Sequence, residues 1–161
     1  MSIRIIVKEP DPVLREVAKE VTKFNDNLKK LLKDMADTMY DAEGVGLAAP
    51  QIGISKRVIV VDVGDENGLV EMVNPVIVEQ EGEQLGPEGC LSIPNLNGDV
   101  LRSERIVVKG QDSSGQPITV EARGYFARAF QHEVDHLNGI LFTDLAQNVF
   151  DITERQRKGG E

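Results

Sequence analysis

Between Gln131 and His136 the chain reads Gln-His-Glu-Val-Asp-His, and these two imidazoles are the only ones among its 161 residues. On an α-helix, positions i and i+4 lie on one face about a turn apart, so His132 and His136 can grip a single metal ion. The pattern commits this stretch to helix and commits one face of it to chemistry. Glu133 projects beside the first histidine, where a carboxylate can take a proton from metal-bound water. The plain alternative is a helix carrying two solvated or core histidines.

Charge and cysteine usage narrow the field. With 18 Lys+Arg against 27 Asp+Glu the net charge is -9, which argues against dedicated nucleic-acid binding across the surface. One cysteine cannot form an internal disulfide, and nothing points to an oxidising compartment. The opening MSIRIIVKEPDP is too short in apolar residues for a signal-peptide core, and no run approaches the length of a membrane span. The expectation is a cytoplasmic protein. Without repeats, low-complexity tracts or a linker, one domain over residues 1–161 is expected, with a polar tail from about residue 152.

Residue patterns lay out the elements. Asp11-Pro12 followed by Val13, Leu14, Val17 and Ala18 predicts a short helix. A longer one runs from Asn25, as N-cap, to Asp41, with Leu28, Leu31, Leu32, Met35 and Met39 on one stripe. Glycines and a proline between Gly44 and Gly53 break it. Val- and Ile-rich runs at Arg57–Val63, Leu69–Glu79, Val100–Lys109 and Ile118–Arg123 predict strands. The turns at Asp65–Gly68 and Asp112–Gly115 favour antiparallel hairpins. The histidine helix spans about Gly124–Asn138 and stops at Gly139, a natural left-handed residue. The fold class is α+β, mostly antiparallel sheets around a central metal-binding helix.

A catalytic metal centre needs a third protein ligand and an open position. Asp144, Asp151 and Glu154 qualify by type, but nothing around them marks a ligand. Cys90 is the stronger choice. It lies in Glu88-Gly89-Cys90-Leu91-Ser92-Ile93-Pro94, where Gly89 allows close backbone approach and Pro94 stiffens the exit. Thiolates bind soft and borderline metals well. The plain reading of an isolated cysteine is a small buried hydrophobe.

Three segments in order resemble the bacterial peptide deformylase family. Gly44-Val45-Gly46-Leu47-Ala48-Ala49-Pro50-Gln51 matches GxGLAAPQ, Glu88 to Ser92 matches EGCLS, and Gln131 to Gly139 matches QHExDHLxG. Pro10-Asp11-Pro12-Val13-Leu14-Arg15 also fits, so the likeness covers roughly residues 5–145. The resemblance implies a hydrolase that removes the N-formyl group from the initiator methionine of nascent proteins. It implies Cys90, His132 and His136 as ligands of one divalent ion, ferrous iron in vivo, with zinc, nickel or cobalt able to substitute. Glu133 becomes general base and then acid, taking the proton of metal-bound water and delivering it to the departing amine. The Gln51 side-chain amide and the Leu91 backbone N–H become donors to the developing oxyanion.

The same resemblance extends to the substrate, N-formylmethionyl nascent peptides. The bare backbone around Val45 and Gly46 suits pairing with an extended peptide. Tyr125, Arg128 (through its stem) and Ala129, with Val45 opposite, would wall a slot for the methionine side chain, and Arg102 would either bind a peptide carbonyl or be an ordinary surface arginine. The tail Thr153–Glu161 is shorter and less basic than the helix with which some family members engage the ribosome, which argues against ribosome association through it. Two rivals remain. A zinc protease shares the helix motif but leaves Cys90 without a purpose. A His₂Cys copper site wants an axial methionine, and the methionines at 1, 35, 39 and 72 are far from the ligands in sequence.

Overall fold

In the computed structural model, which describes residues 2–152, the Val58–Val61 run explains the architecture best. All four residues, Val-Ile-Val-Val, are buried, which demands cover on both faces of a strand whose side chains alternate. That cover comes from two helices. Helix α1 (Asp26–Asp41) follows an N-cap in which the Asn25 side chain accepts from the Leu28 N–H. It lays Leu28, Leu31, Leu32, Met35 and Met39 against Val58, Val60, Leu47 and Val73. Helix α2 (Gly124–Leu137) covers the other face, with Phe126, Phe130, Val134 and Leu137 packed on Ile59, Val61, Met72 and Ile106.

The strands are β1 (Gly46–Ala48), β2 (Val58–Val61), β3 (Val70–Glu81), β4 (Gln84–Cys90), β5 (Ile93–Arg102), β6 (Arg105–Gln111), β7 (Pro117–Arg123) and β8 (Val149–Asp151). They form a five-stranded sheet in the order β1-β2-β3-β6-β7 and a three-stranded sheet in the order β4-β5-β8. Every pairing within them is antiparallel. Turns at Asp65–Gly68 and Asp112–Gly115 close the β2–β3 and β6–β7 connections, each with an N–H of the glycine donating to the aspartate carbonyl. A smaller core of Leu14, Ile93, Val100, Leu141 and Phe142 underlies the three-stranded sheet. It includes the four-residue helix α3 (Phe142–Leu145).

Several expectations need correction. Val100–Lys109 is not one strand: β5 ends at Arg102 and β6 begins at Arg105, in different sheets. The corner is held by Gln131 on α2, whose amide accepts from the Ser103 N–H and donates to the Ser103 carbonyl, both at 2.9 Å. No glycine or proline marks it. Strand β4 went unforeseen because Gly86, Pro87 and Gly89 are poor strand formers, yet an edge position tolerates them. The Gly44–Gly53 break holds strand β1 and a 3₁₀ turn, Ala49–Ile52, that ends on Gly53 with φ +82°. The short helix expected after Asp11 is a 3₁₀ turn, Pro12–Arg15. The tail from residue 153, with Glu154 and the ribosome expectation, lies outside the described residues.

Gly139 stops α2 as expected. Its φ is +73°, and a Cβ there would lie 2.5 Å from the Arg15 carbonyl oxygen and 2.8 Å from its carbon. The left-handed backbone and the close approach of the N-terminal segment both demand glycine. Gly139→Ala is expected to destabilise by roughly 2–4 kcal/mol, lowering the melting temperature by about 5–15 °C. Calorimetry of the two proteins checks this, and equal melting temperatures would contradict it.

Candidate metal centre and active site

Glu88 and Cys90 are two residues apart near the end of β4, and the helix α2 lies directly against them. Glu88 Oε1 sits 2.9 Å from Nδ1 of His132. That turns the imidazole so that its Nε2 faces Nε2 of His136 at 3.1 Å, and Cys90 Sγ lies 3.3 Å from the same His136 nitrogen. The three donor atoms all fall within 4.8 Å of one another. Around a four-coordinate ion with bonds of about 2.0–2.3 Å, such donors stand roughly 3.3–3.6 Å apart. The spacing therefore fits one ion, held by two imidazoles and a thiolate. Asp144, a candidate by type, is engaged elsewhere: it pairs with Arg15 at 2.5 Å and accepts from the Leu141 N–H.

The two imidazoles are shifted in opposite directions. Burial alone would lower the His132 pKa, but its contacts with Cys90 and Glu88 and the charge of Glu133 raise it well above the ordinary value. His136 is pushed well below, by burial and by the charge of its neighbour His132. Glu133 is pushed up to about 7, chiefly by burial, with His132 opposing. Its Oε1 and His136 Nδ1 are buried without a hydrogen-bond partner.

Behind the donors lies a network that the sequence reading did not assign. Glu88 receives two hydrogen bonds from Arg102, both at 2.8 Å, and a third from Arg128 at 2.6 Å. Burial works against its charge, but Arg102 and His132 hold it well below the usual carboxylate range. Arg102 also reaches Asp135 at 2.5 Å. The signal was available: Glu88 alternates with Cys90 on one face of a strand, inside the EGCLS segment.

A cleft of about 340 Å³ opens onto the centre. Val45, Gly46, Gln51, Leu91, Tyr125, Arg128, Ala129, His132, Glu133 and Cys90 all line it, joined by Glu43, Asn95 and Asn97. Arg102 does not. It is 6 % exposed, and its guanidinium is taken up by Glu88 and Asp135, so the expected contact with a peptide carbonyl gives way to a supporting position. The Arg128 stem borders the cleft while its head group donates to Glu88 and to the Gln84, Gly86 and Val100 carbonyls. Gln51 Oε1 accepts from the Ala48 N–H at 3.0 Å, which aims Nε2 at Ser92 Oγ (3.2 Å) and Cys90 Sγ (3.6 Å). Among the described residues no methionine lines the cleft; Met35, Met39 and Met72 are core residues.

The polypeptide deformylase family model matches residues 3–150. The chain belongs to this family. A peptide deformylase of Pelotomaculum thermopropionicum is 56% identical over 156 residues, 97% of this chain and 99% of that protein. Peptide deformylase 1 of Bacillus subtilis is 54% identical over 143 residues, 89% of each chain. The crystal structure of the Thermotoga maritima peptide deformylase superposes with a TM-score of 0.88 at 49% identity, covering 92% of this chain and all of that one. A peptide deformylase from Synechococcus elongatus, solved in complex with actinonin, gives 0.86 at 43% identity, with 90% and 79% covered. Deformylases of this family are metal-dependent hydrolases that take the N-formyl group from nascent peptides, and the chain is one of these enzymes.

Replacing the Glu88 carboxylate by an amide removes the charge that holds His132 and leaves one acceptor oxygen for three donor groups. Glu88→Gln is expected to weaken metal binding about 10–100-fold, measured by competition with a chromophoric chelator. Unchanged affinity in a folded variant would mean that His132 is oriented without it.

Proposed function

We propose that this deformylase works as a single catalytic domain with α2 as its central metal-bearing helix, and that Cys90, His132 and His136 hold its ion. The observation that carries the reading is the convergence of those three donors beside the buried carboxylate of Glu133. A divalent ion bound there would acidify a water molecule and polarise the formyl oxygen. Glu133 takes the proton of the attacking water and returns it to the methionine nitrogen as the C–N bond breaks. An amide does not expel an unprotonated amine easily, and a carboxyl poised near neutrality can serve as both base and acid. Formate and the free amino terminus are the products.

Negative charge develops on the formyl oxygen, and the Gln51 side-chain amide and Leu91 N–H are the donors assigned to it. Gln51 suits the part because the Ala48 N–H fixes its orientation beforehand. The substrate enters as an extended strand beside Val45 and Gly46. Its methionine side chain lies between Val45 and the α2 residues Tyr125, Arg128 and Ala129, which border the same cleft. Pairing of this kind reads main chain rather than side chains, as a processor of many different nascent proteins requires.

The His₂Cys donor set accepts several metals, and ferrous iron is our assignment. Bacterial relatives and the absence of a helix long and apolar enough to cross a membrane among the described residues support the reading of a cytoplasmic enzyme.

Glu133→Ala is expected to keep fold and metal but lose on the order of a hundredfold or more in turnover of a formyl-Met peptide. A metal-loaded variant with near-normal turnover would remove Glu133 from the mechanism. For the metal, elemental analysis of protein purified without oxygen, with turnover measured on the same sample, is expected to return iron. An active sample containing zinc or nickel and no iron would overturn that assignment.

A further inference from the structure

Gly46 is an ordinary strand residue by its backbone. It pairs with Val61 in the β1–β2 ladder, and its φ is not in the left-handed region. Glycine inside a strand weakens it, by roughly 0.5–1 kcal/mol relative to alanine, so another requirement must hold it there. The space where its side chain would stand is already filled. A Cβ on residue 46 would fall 2.9 Å from both Cγ and Cδ of Glu133, and would collide with Oε2.

Few other contacts position that carboxylate. Oε1 is buried without a hydrogen-bond partner, and the residue is 4 % exposed, so packing rather than bonding has to keep Glu133 in one rotamer. The backbone of β1 forms the opposite wall. Gly44 contrasts with it: a Cβ there would press only on the Leu91 side chain, at 2.8 Å from Cδ1, a flexible end that can move aside.

We infer that Gly46 is a positioning residue for Glu133: the missing side chain on β1 is the seat of the catalytic carboxylate. This rests on the assignment of Glu133 as proton carrier and goes beyond the backbone pairing that Gly46 offers to a peptide. A methyl group at position 46 displaces the carboxylate from the place where water and the methionine nitrogen meet it.

The test is a double-mutant cycle on the metal-loaded protein with Gly46→Ala, Glu133→Ala and both together. Gly46→Ala should lower the melting temperature in the parent, yet leave it unchanged or raise it in the Glu133→Ala background, where the methyl enters vacated space. In the parent background it should lower kcat on a formyl-Met peptide at least tenfold, with KM within about threefold. If Gly46→Ala fails to fold alone but folds with Glu133→Ala, the clash is confirmed directly. Equal melting losses in both backgrounds would overturn the inference, as would failure of both variants to fold. A raised KM with normal kcat would overturn it too, leaving Gly46 as a substrate-pairing residue only. Normal turnover by Glu133→Ala would refute the proton-carrier role separately, and the melting cycle would still report whether the two residues share one space.

Discussion

The carboxylate of Glu88 is the joint on which the site hangs. It accepts from Arg102 on its neighbouring strand, from Arg128 on α2, and it meets His132 on the same helix. Both flanking guanidinium groups are 5 % exposed at the side chain, as is Glu88 itself. Ions buried to that degree cost several kcal/mol each to desolvate, and only full satisfaction of their hydrogen bonds makes the arrangement tolerable. What such a network supplies is uniqueness. Every atom of it must be in place for any of it to be worth having, and the imidazole at its end is therefore held in one orientation.

The two sheets serve different parts of the chemistry. The five-stranded sheet, with α2 across one face and α1 over its β1–β2 end on the other, is the support on which the histidine helix rests. The three-stranded sheet brings Cys90 and Glu88 to that helix from the other side. Gln131, one residue before His132, fixes the chain where it leaves one sheet for the other. The cleft then opens between β1 and β4, an edge strand of each sheet. Edges with unpaired backbone are a liability in most proteins; here they face the place where an extended peptide would lie.

Local patterns were legible wherever a short segment carried its own explanation. The Asn25 cap, the apolar stripe of α1, the two Asp-to-Gly turns and the Gly139 stop depend on neighbours within a few residues, and all stand as expected. Strand β4 and the Ser103 corner did not read, because what makes them possible is distant: an edge location for Gly86 and Pro87, and a glutamine from α2. Arg102 illustrates the same limit. Its charge suggested an outward role, and only its burial against Glu88 and Asp135 shows that the charge is spent inside.

By itself the sequence determined that a helix presents two imidazoles and a carboxylate on adjoining positions, since helical spacing alone puts them there. It also marked the thiol that could complete the set, and three ordered motifs tied it to a family. Tertiary structure decided which donors share a point in space, which arginine borders the cleft and which lies behind it, and why position 46 has no side chain. Those are questions of distance between residues far apart in the chain, and no local pattern encodes them. The space beside Gly46 exists only because β1 and α2 pack together, with Glu133 between them.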